Sequence, residues 1–182
     1  MDTRQGRSPP GDRRCRSVGA VRSDGRPALI AVDTNILLYA HRDAFTQHEA
    51  ALVALRELAE GPVAWALPVF VIGEFLRVAT HPRVLDPPSS PDDAVDVITA
   101  LMESPSIRVI SPGERYWRLL RETMTAAGVR GNLVMDAQIV SVCLEHGATT
   151  ILTEDRDFRR FDGITIRRLP AIGVRPSDPT TT

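Results

Sequence analysis

The sequence LIAVDTNILL, residues 29–38, places a single acid inside an otherwise apolar run. Residues 28–33 are short, apolar and preceded by Pro27, which is typical of a buried strand, and 34–41 read as a short helix. Asp33 therefore stands where a buried strand ends and a helix begins. Taken alone, this acid is explained by a helix N-cap, in which the carboxylate accepts a backbone N–H.

Strand-like and helix-like segments alternate along the rest of the chain. Further strands are predicted over 63–67, 107–110, 149–152 and 164–168, and further helices over 44–60, 69–80, 92–103, 114–127 and 133–146. This alternation predicts an α/β fold, in which a central, mainly parallel sheet is covered by helices on both faces in a three-layer α/β/α sandwich. In such sheets, ligands bind beyond the carboxyl ends of the strands, which is where Asp33 is expected to lie.

Composition limits the class of protein. The 182 residues favour one domain, and the 43% hydrophobic content is enough for a sizeable core. No apolar run reaches the 18 or so residues of a membrane span, and two cysteines give no disulfide framework, so we expect a cytoplasmic protein. Residues 1–27, rich in Arg, Gly and Pro, are predicted to be a disordered tail, with a nucleic-acid-binding arm or a misassigned start codon as alternatives. Residues 171–182 are predicted to be a flexible C-terminal tail.

Two further acids lie in predicted helices at positions that place them beside apolar residues. Glu74, in the predicted helix 69–80, has mostly apolar neighbours at helical spacing, although a surface acid paired with Arg77 is a fair alternative. Asp136 lies in the first turn of the predicted helix 133–146, where the helix dipole favours an anion. It shares a stripe with Val140 and Cys143, so it is expected to point toward the core side of the helix.

The segment TEDRDF, residues 153–158, supplies acids directly after a predicted strand. Asp155 is the favoured fourth site residue, Asp157 is a possible fifth, and Glu154 is less favoured; a solvated turn is the alternative for all three. Converging carboxylates repel one another and need a cation, and oxygen ligands suit Mg²⁺ or Mn²⁺. The four histidines are scattered and lack the spacing of a zinc site.

Two other classes of protein share part of this pattern: a phosphatase of the haloacid dehalogenase type has an Asp that ends its first strand, and a receiver domain has clustered acids. A phosphatase of the haloacid dehalogenase type carries a second Asp two residues on and a catalytic Lys, and a receiver domain also uses a Lys. Here the residue two on is Asn35, and all 22 basic residues are Arg, which weighs against both classes. A binding module that has lost catalysis is a further alternative, and the presence of all four acids argues against it.

The four motifs VDTN, GEF, MDAQIV and TEDRDF together resemble a PIN domain, with the closest similarity to the VapC toxin ribonucleases of type II toxin–antitoxin pairs, over about residues 29–169. The resemblance implies a PIN nuclease domain at 28–170 that hydrolyses RNA phosphodiester bonds with a metal-activated water, leaving 5′-phosphate and 3′-hydroxyl ends. It also implies a small VapB-like antitoxin as partner, and a homodimer. The implied metal-binding and catalytic acids are Asp33, Glu74, Asp136 and Asp155, with Asp157 as a further metal ligand and Asn35 and Thr153 as residues that orient them.

RNA phosphates require cations, and arginine is the only basic residue available. Six arginines near the motifs are weak candidates for binding RNA, namely Arg42, Arg77, Arg83, Arg156, Arg159 and Arg160. Trp65 and Trp117 are able to stack on bases, but core packing is favoured for both. The apolar helical stretches 44–58 and 69–78 are candidates for an antitoxin groove, or for ordinary core helices.

Overall fold

Five parallel strands form the centre of the computed structural model, which describes residues 29–171. The predicted tails, 1–27 and 171–182, lie outside the described residues, apart from residue 171. The strands are β1 Ile30–Val32, β2 Trp65–Pro68, β3 Ile107–Ile110, β4 Thr150–Leu152 and β5 Thr165–Arg167. The helices are α1 Thr34–His41, α2 His48–Glu60, α3 Val69–Ala79, α4 Pro91–Met102, α5 Tyr116–Ala126 and α6 Leu133–His146, with a short 3-10 helix at Asp157–Arg160.

The strand order β3-β2-β1-β4-β5 places β1 in the middle of the sheet. The chain proceeds from β1 to β2 and β3 on one side, and then crosses to β4 and β5 on the other. The boundary between β1 and β4 is therefore the topological switch point, where α/β sheets open a crevice at their carboxyl ends. Ile30 lies opposite Thr150 and Val32 opposite Leu152, so the two strands end level with each other.

The central strands are buried on both faces. All four residues of β2 are buried, as are Ala31 and Val32 of β1, so helices cover both sides of the sheet. Trp65 and Phe75 are among the largest fully buried side chains. The predicted α/β fold with a parallel sheet is confirmed.

Local sequence signals explain most of the helix boundaries. Ser90 accepts a hydrogen bond from the backbone N of Asp93 at 3.0 Å and caps α4, with Pro91 in its first turn. Gly147 ends α6 with φ of 72°, a left-handed conformation that glycine adopts at little cost.

The start of α2 differs from the prediction. The helix was expected over 44–60 and begins only at His48, because the preceding residues form successive turns in which the N–H of Phe45 donates to Arg42 and that of His48 to Phe45. The ring of Phe45 packs edge-on against Tyr39 at 5.1 Å between centroids. This contact joins the turn to α1.

Candidate metal centre

Asp33 lies at the switch point between β1 and β4, and its backbone N donates to the carbonyl of Leu152 in β4 at 3.1 Å. It is 5% exposed and follows β1 as the N-cap of α1, where its Oδ1 accepts a hydrogen bond from the backbone N of Thr34 at 2.7 Å. Its Oδ2 accepts from Asn35 Nδ2 and from Thr153 Oγ1, both at 2.6 Å. The simple capping explanation is therefore correct, but the second carboxylate oxygen also joins α1 to the end of β4.

Asn35 and Thr153 extend this network into the loop after β4. The hydroxyl of Thr153 accepts from Asn35 Nδ2 and from the backbone N of Asp155, both at 2.9 Å. Asn35 Oδ1 accepts from the backbone N of Glu154 at 3.3 Å. Both residues thus contact Asp33 and the segment that carries Asp155, which is the arrangement expected of groups that orient a carboxylate cluster.

Glu74 approaches the same place from α3. Its Oε2 accepts a hydrogen bond from Thr34 Oγ1 at 2.8 Å, and its Oε1 lies 3.6 Å from Arg77 Nη2. The ion pair considered as the alternative explanation is present, but the side chain of Glu74 is mostly buried while that of Arg77 is exposed. Glu74 therefore belongs to the group around Asp33 as well as pairing with Arg77.

The remaining acids come from α6 and from the loop after β4. Asp136, Asp155 and Asp157 each offer a carboxylate oxygen, and these oxygens lie within 4.8 Å of one another. Asp136 is in the first turn of α6, on the stripe that continues through the buried Val140 and Cys143. The structure thus brings both candidates for the last position, Asp155 and Asp157, next to Asp136.

Burial and mutual repulsion raise the pKa values of two of the acids. Burial, together with repulsion from Glu74 and Asp155, raises the pKa of Asp33 to about 6, against the opposing effect of its hydrogen bonds from Thr153 and Thr34. Burial and the charges of the other four acids, Asp33 first, raise the pKa of Asp136 to about 7. Five carboxylates from four separate parts of the chain therefore share one electrostatic field at the carboxyl end of the sheet.

The six candidate arginines differ in their partners. Arg77 pairs with Glu74, and Arg160 lies 3.0 Å from Asp157 Oδ1, so two of them contact acids of the cluster. Arg42 donates to the carbonyl of Pro87 at 2.6 Å. The other three, Arg83, Arg156 and Arg159, are exposed.

One tryptophan departs from the prediction. Trp65 is fully buried as expected, but Trp117 is 74% exposed, so the expectation that it packs in the core is wrong. The buried side of α5 runs through Tyr116 and Leu120, and Trp117 lies off that stripe.

Three features of the site were not predicted from the sequence. Thr34, inside the quoted VDTN motif, is buried and donates to Glu74. The charges of Glu154, Asp33 and Asp155 add to burial in raising the pKa of Tyr39, so its phenol feels the charge of the acids. Four-residue spacing from Asn35 on α1 was an available signal for Tyr39. The third feature, the contact between Glu154 and Arg168, joins residues too distant in sequence for any pattern to pair.

Comparison with known proteins agrees with this geometry. A family model described as PIN domain matches residues 30–164. VapC ribonuclease Mb2897 of Mycobacterium bovis is 37% identical over 133 residues, which cover 73% of this chain and 90% of the relative. Ribonuclease VapC48 of Mycobacterium tuberculosis is 35% identical over 136 residues, covering 74% of this chain and 93% of the relative.

Solved structures show the same fold at lower identity. VapBC2 from Rickettsia felis, bound to a DNA fragment from its promoter, matches with a TM-score of 0.59 and 17% identity, over 78% of this chain and 99% of that chain. VapC20 of Mycobacterium tuberculosis, described as a sarcin–ricin loop cleaving toxin, matches with a TM-score of 0.55 and 20% identity, over 74% and 98%.

These matches define the class of protein: the chain belongs to the PIN domain family. The sequence-based prediction of a PIN-domain ribonuclease of the VapC toxin type is confirmed. PIN-domain ribonucleases are generally metal-dependent, and the carboxylate cluster is the corresponding feature of this chain. Within residues 29–171, none of the helices combines the length and apolar character needed to cross a bilayer.

Proposed function

We propose that this protein is a Mg²⁺-dependent endoribonuclease, able to use Mn²⁺ instead, and the toxin of a type II toxin–antitoxin pair. The proposed metal ligands and catalytic acids are Asp33, Glu74, Asp136 and Asp155, with Asp157 as a further ligand, within a nuclease domain at 28–170. The observation that carries the proposal is the convergence of these acids at the carboxyl end of the sheet, where carboxylate oxygens of Asp136, Asp155 and Asp157 lie within 4.8 Å of one another.

The chemistry of the donor set fits a hard divalent cation. The groups that converge are carboxylates, and the oxygens of Asp136, Asp155 and Asp157 lie within 4.8 Å of one another. Mg²⁺ and Mn²⁺ prefer such oxygen ligands, and Mg²⁺ commonly combines one or two carboxylates with substrate phosphate. A cation there would offset the repulsion that adds to burial in raising the pKa of Asp136.

Other residues near the cluster orient the carboxylates and bind the RNA. A bound ion of this kind lowers the pKa of water and polarises a phosphoryl oxygen. Asn35 and Thr153 hold Asp33 through its Oδ2, and Thr34 holds Glu74, so the carboxylates are oriented before RNA arrives. RNA phosphates are bound by the arginines around the cluster, of which Arg156 and Arg159 have exposed side chains.

RNA cleavage by purified variants tests the proposal. We expect cleavage with Mg²⁺ or Mn²⁺, none with EDTA, and products with 5′-phosphate ends. Asp33→Asn and Asp136→Asn should abolish cleavage while circular dichroism shows a folded protein, and Asp96→Asn, which changes an exposed acid of α4 by the same charge, should cleave as the wild type does. Equal cleavage by all the variants would mean that the cluster is not the active site.

A second part of the proposal concerns partners and location. The solved relatives include a VapBC complex bound to promoter DNA, and we propose that this chain likewise pairs with a small VapB-like antitoxin and forms a homodimer in the cytoplasm. The proposed groove is formed by the segment 44–58, which is helical from His48 onward, and by the helical segment 69–78. Light scattering of the purified chain, alone and co-expressed with the product of a short neighbouring reading frame, tests both; a monomer that captures no such product would contradict them.

A further inference from the structure

Glu154 lies inside the acidic loop but does not join the carboxylate cluster. It is not among the acids that raise the pKa of Asp33 or of Asp136. Its Oε2 instead accepts a hydrogen bond from Arg168 Nη1 at 2.8 Å, and its Oε1 accepts one from the backbone N of Leu169 at 2.9 Å. Arg168 Nη1 also donates to the backbone carbonyl of Glu154.

These contacts join the exits of two neighbouring strands. Glu154 follows β4, whereas Arg168 and Leu169 directly follow β5. The last backbone bond between the two strand ends runs from Thr153 N to the carbonyl of Arg167 at 3.0 Å. Beyond that bond, the loop 153–157 is held by side chains, and the Glu154–Arg168 pair, here called the clasp, fixes both the backbone and the carboxylate of its second residue.

We propose that Glu154 and Arg168 are positioning residues that hold the loop 153–157 so that Asp155 stands against Asp136 in the metal-binding arrangement. This inference rests on the proposed metal site. The mechanical link is short, because Asp155 is the next residue after Glu154 and its N–H is bonded to Thr153 Oγ1 at 2.9 Å. Displacing the carbonyl of Glu154 therefore displaces the N–H of Asp155, because the two groups belong to the same peptide unit.

The chain supplies a matched control next to Arg168. Arg167 forms an ion pair with Glu57 at 3.3 Å, and these side chains are 41% and 58% exposed, against 31% and 29% for Arg168 and Glu154. Neither Arg167 nor Glu57 bonds to the loop 153–157 through its side chain in the described structure. Arg167→Ala and Arg168→Ala remove the same charge from adjacent positions, but only Arg168→Ala breaks the contact with Glu154.

A pure charge effect and a positioning effect predict opposite changes in the cation affinity of Arg168→Ala. If Arg168 acted only as a nearby positive charge, Arg168→Ala would strengthen cation binding, because it removes a repulsion. If the clasp positions Asp155, both Arg168→Ala and Glu154→Gln weaken binding, since either change loosens the same loop. Residues that orient metal ligands typically contribute about 10–100-fold to metal affinity, and we expect Arg168→Ala to weaken Mn²⁺ binding by about 10-fold.

The experiment measures Mn²⁺ dissociation constants by titration calorimetry on the RNA-free protein, for the wild type, both clasp variants, their double mutant and Arg167→Ala. The double mutant should bind Mn²⁺ about as tightly as Arg168→Ala does, because the two substitutions remove the same contact. Three results would overturn the positioning role: tighter Mn²⁺ binding by Arg168→Ala, additive losses of affinity in the double mutant, or a loss of affinity in Arg167→Ala equal to that in Arg168→Ala.

A second measurement separates the clasp from the metal site. Amide hydrogen exchange of the segment 153–158 in EDTA should be faster in Arg168→Ala than in the wild type and unchanged in Arg167→Ala, because the clasp orders the loop without metal. Unchanged exchange in Arg168→Ala would overturn the clasp. Failure of the wild type to bind Mn²⁺ would instead overturn the proposed metal site and the clasp's role in it.

Discussion

Replacing Asp136 with asparagine should stabilise the metal-free protein at neutral pH. Burial and four neighbouring acids raise the pKa of Asp136 from 3.8 to about 7, so the ionised side chain costs free energy in the folded state. Among residues 29–171, its carboxylate takes part in none of the side-chain hydrogen bonds of the structure, so the amide loses little. Asp136→Asn therefore removes the repulsion without breaking the network around Asp33.

The size of the effect follows from the pKa difference. At about 1.4 kcal/mol for each tenfold change in the acid constant, the undiscounted cost is about 4 kcal/mol. Asp136 is half-buried, so solvent screening reduces the expected gain to about 1–2 kcal/mol. At about 2–4 °C per kcal/mol for a domain of this size, Tm should rise by about 2–8 °C.

The sign of the pH dependence is fixed by the raised pKa. Above about pH 7, the wild-type carboxyl is charged in both folded and unfolded states, and the variant shows its full gain. As pH falls toward 4, the folded wild type takes up a proton and the gain disappears. Thermal unfolding in EDTA at pH 8 and at pH 4.5 measures this, with Asp96→Asn on α4 as the control of equal charge change.

Two results would refute this reasoning. A loss of stability in Asp136→Asn at pH 8 would mean that the carboxylate is favourably bound in the metal-free protein. A gain of equal size at both pH values would mean that its cause is not ionisation. Added Mg²⁺ should reverse the order, because it stabilises only the protein that binds it.

Three further outcomes are expected. Thr34→Val, which removes the hydrogen bond to Glu74, should lower the free energy of unfolding by about 1 kcal/mol and weaken Mn²⁺ binding; unchanged values in urea unfolding and calorimetry would contradict it. Trp117→Ala should change stability by less than about 0.5 kcal/mol because the side chain is exposed, whereas Trp65→Ala should cost about 3–5 kcal/mol, and equal losses would contradict the placement. Mn²⁺ affinity should fall as pH is lowered from 8 to 6, because protons compete for Asp136, and a constant affinity would exclude it as a ligand.

The fold and the convergence of the acids were predictable because both follow from strand ends. In a parallel sheet every strand ends at the same edge, so an acid placed just after one strand meets an acid placed just after another. Asp33 and Asp155 satisfy this rule directly, and the apolar stripe through Val140 placed Asp136 on the inner side of its helix. No long-range contact had to be known for these placements.

The details that could not be predicted depend on side-chain geometry within one turn. Asp155 and Asp157 are two residues apart in a polar turn, and the turn that follows β4 brings both to Asp136. The pattern of residue types cannot separate them, because both positions read as solvated turn acids. The burial of Trp117 was wrongly predicted for a different reason. Its residue type favoured the core, but the buried stripe of α5 passes through Tyr116 and Leu120 instead.

The hydrogen-bond network around Asp33 explains why the cluster persists despite its cost. Oδ2 of Asp33 receives two donors, from Asn35 and from Thr153, yet the pKa of the group is still raised to about 6. The bonds therefore fix the position of the carboxylate but do not offset the effects of its burial and of repulsion from Glu74 and Asp155. A fold that fixes repelling charges in place retains a free energy that a bound cation releases at neutral pH, so the residues that orient the acids contribute to metal affinity as well as to structure.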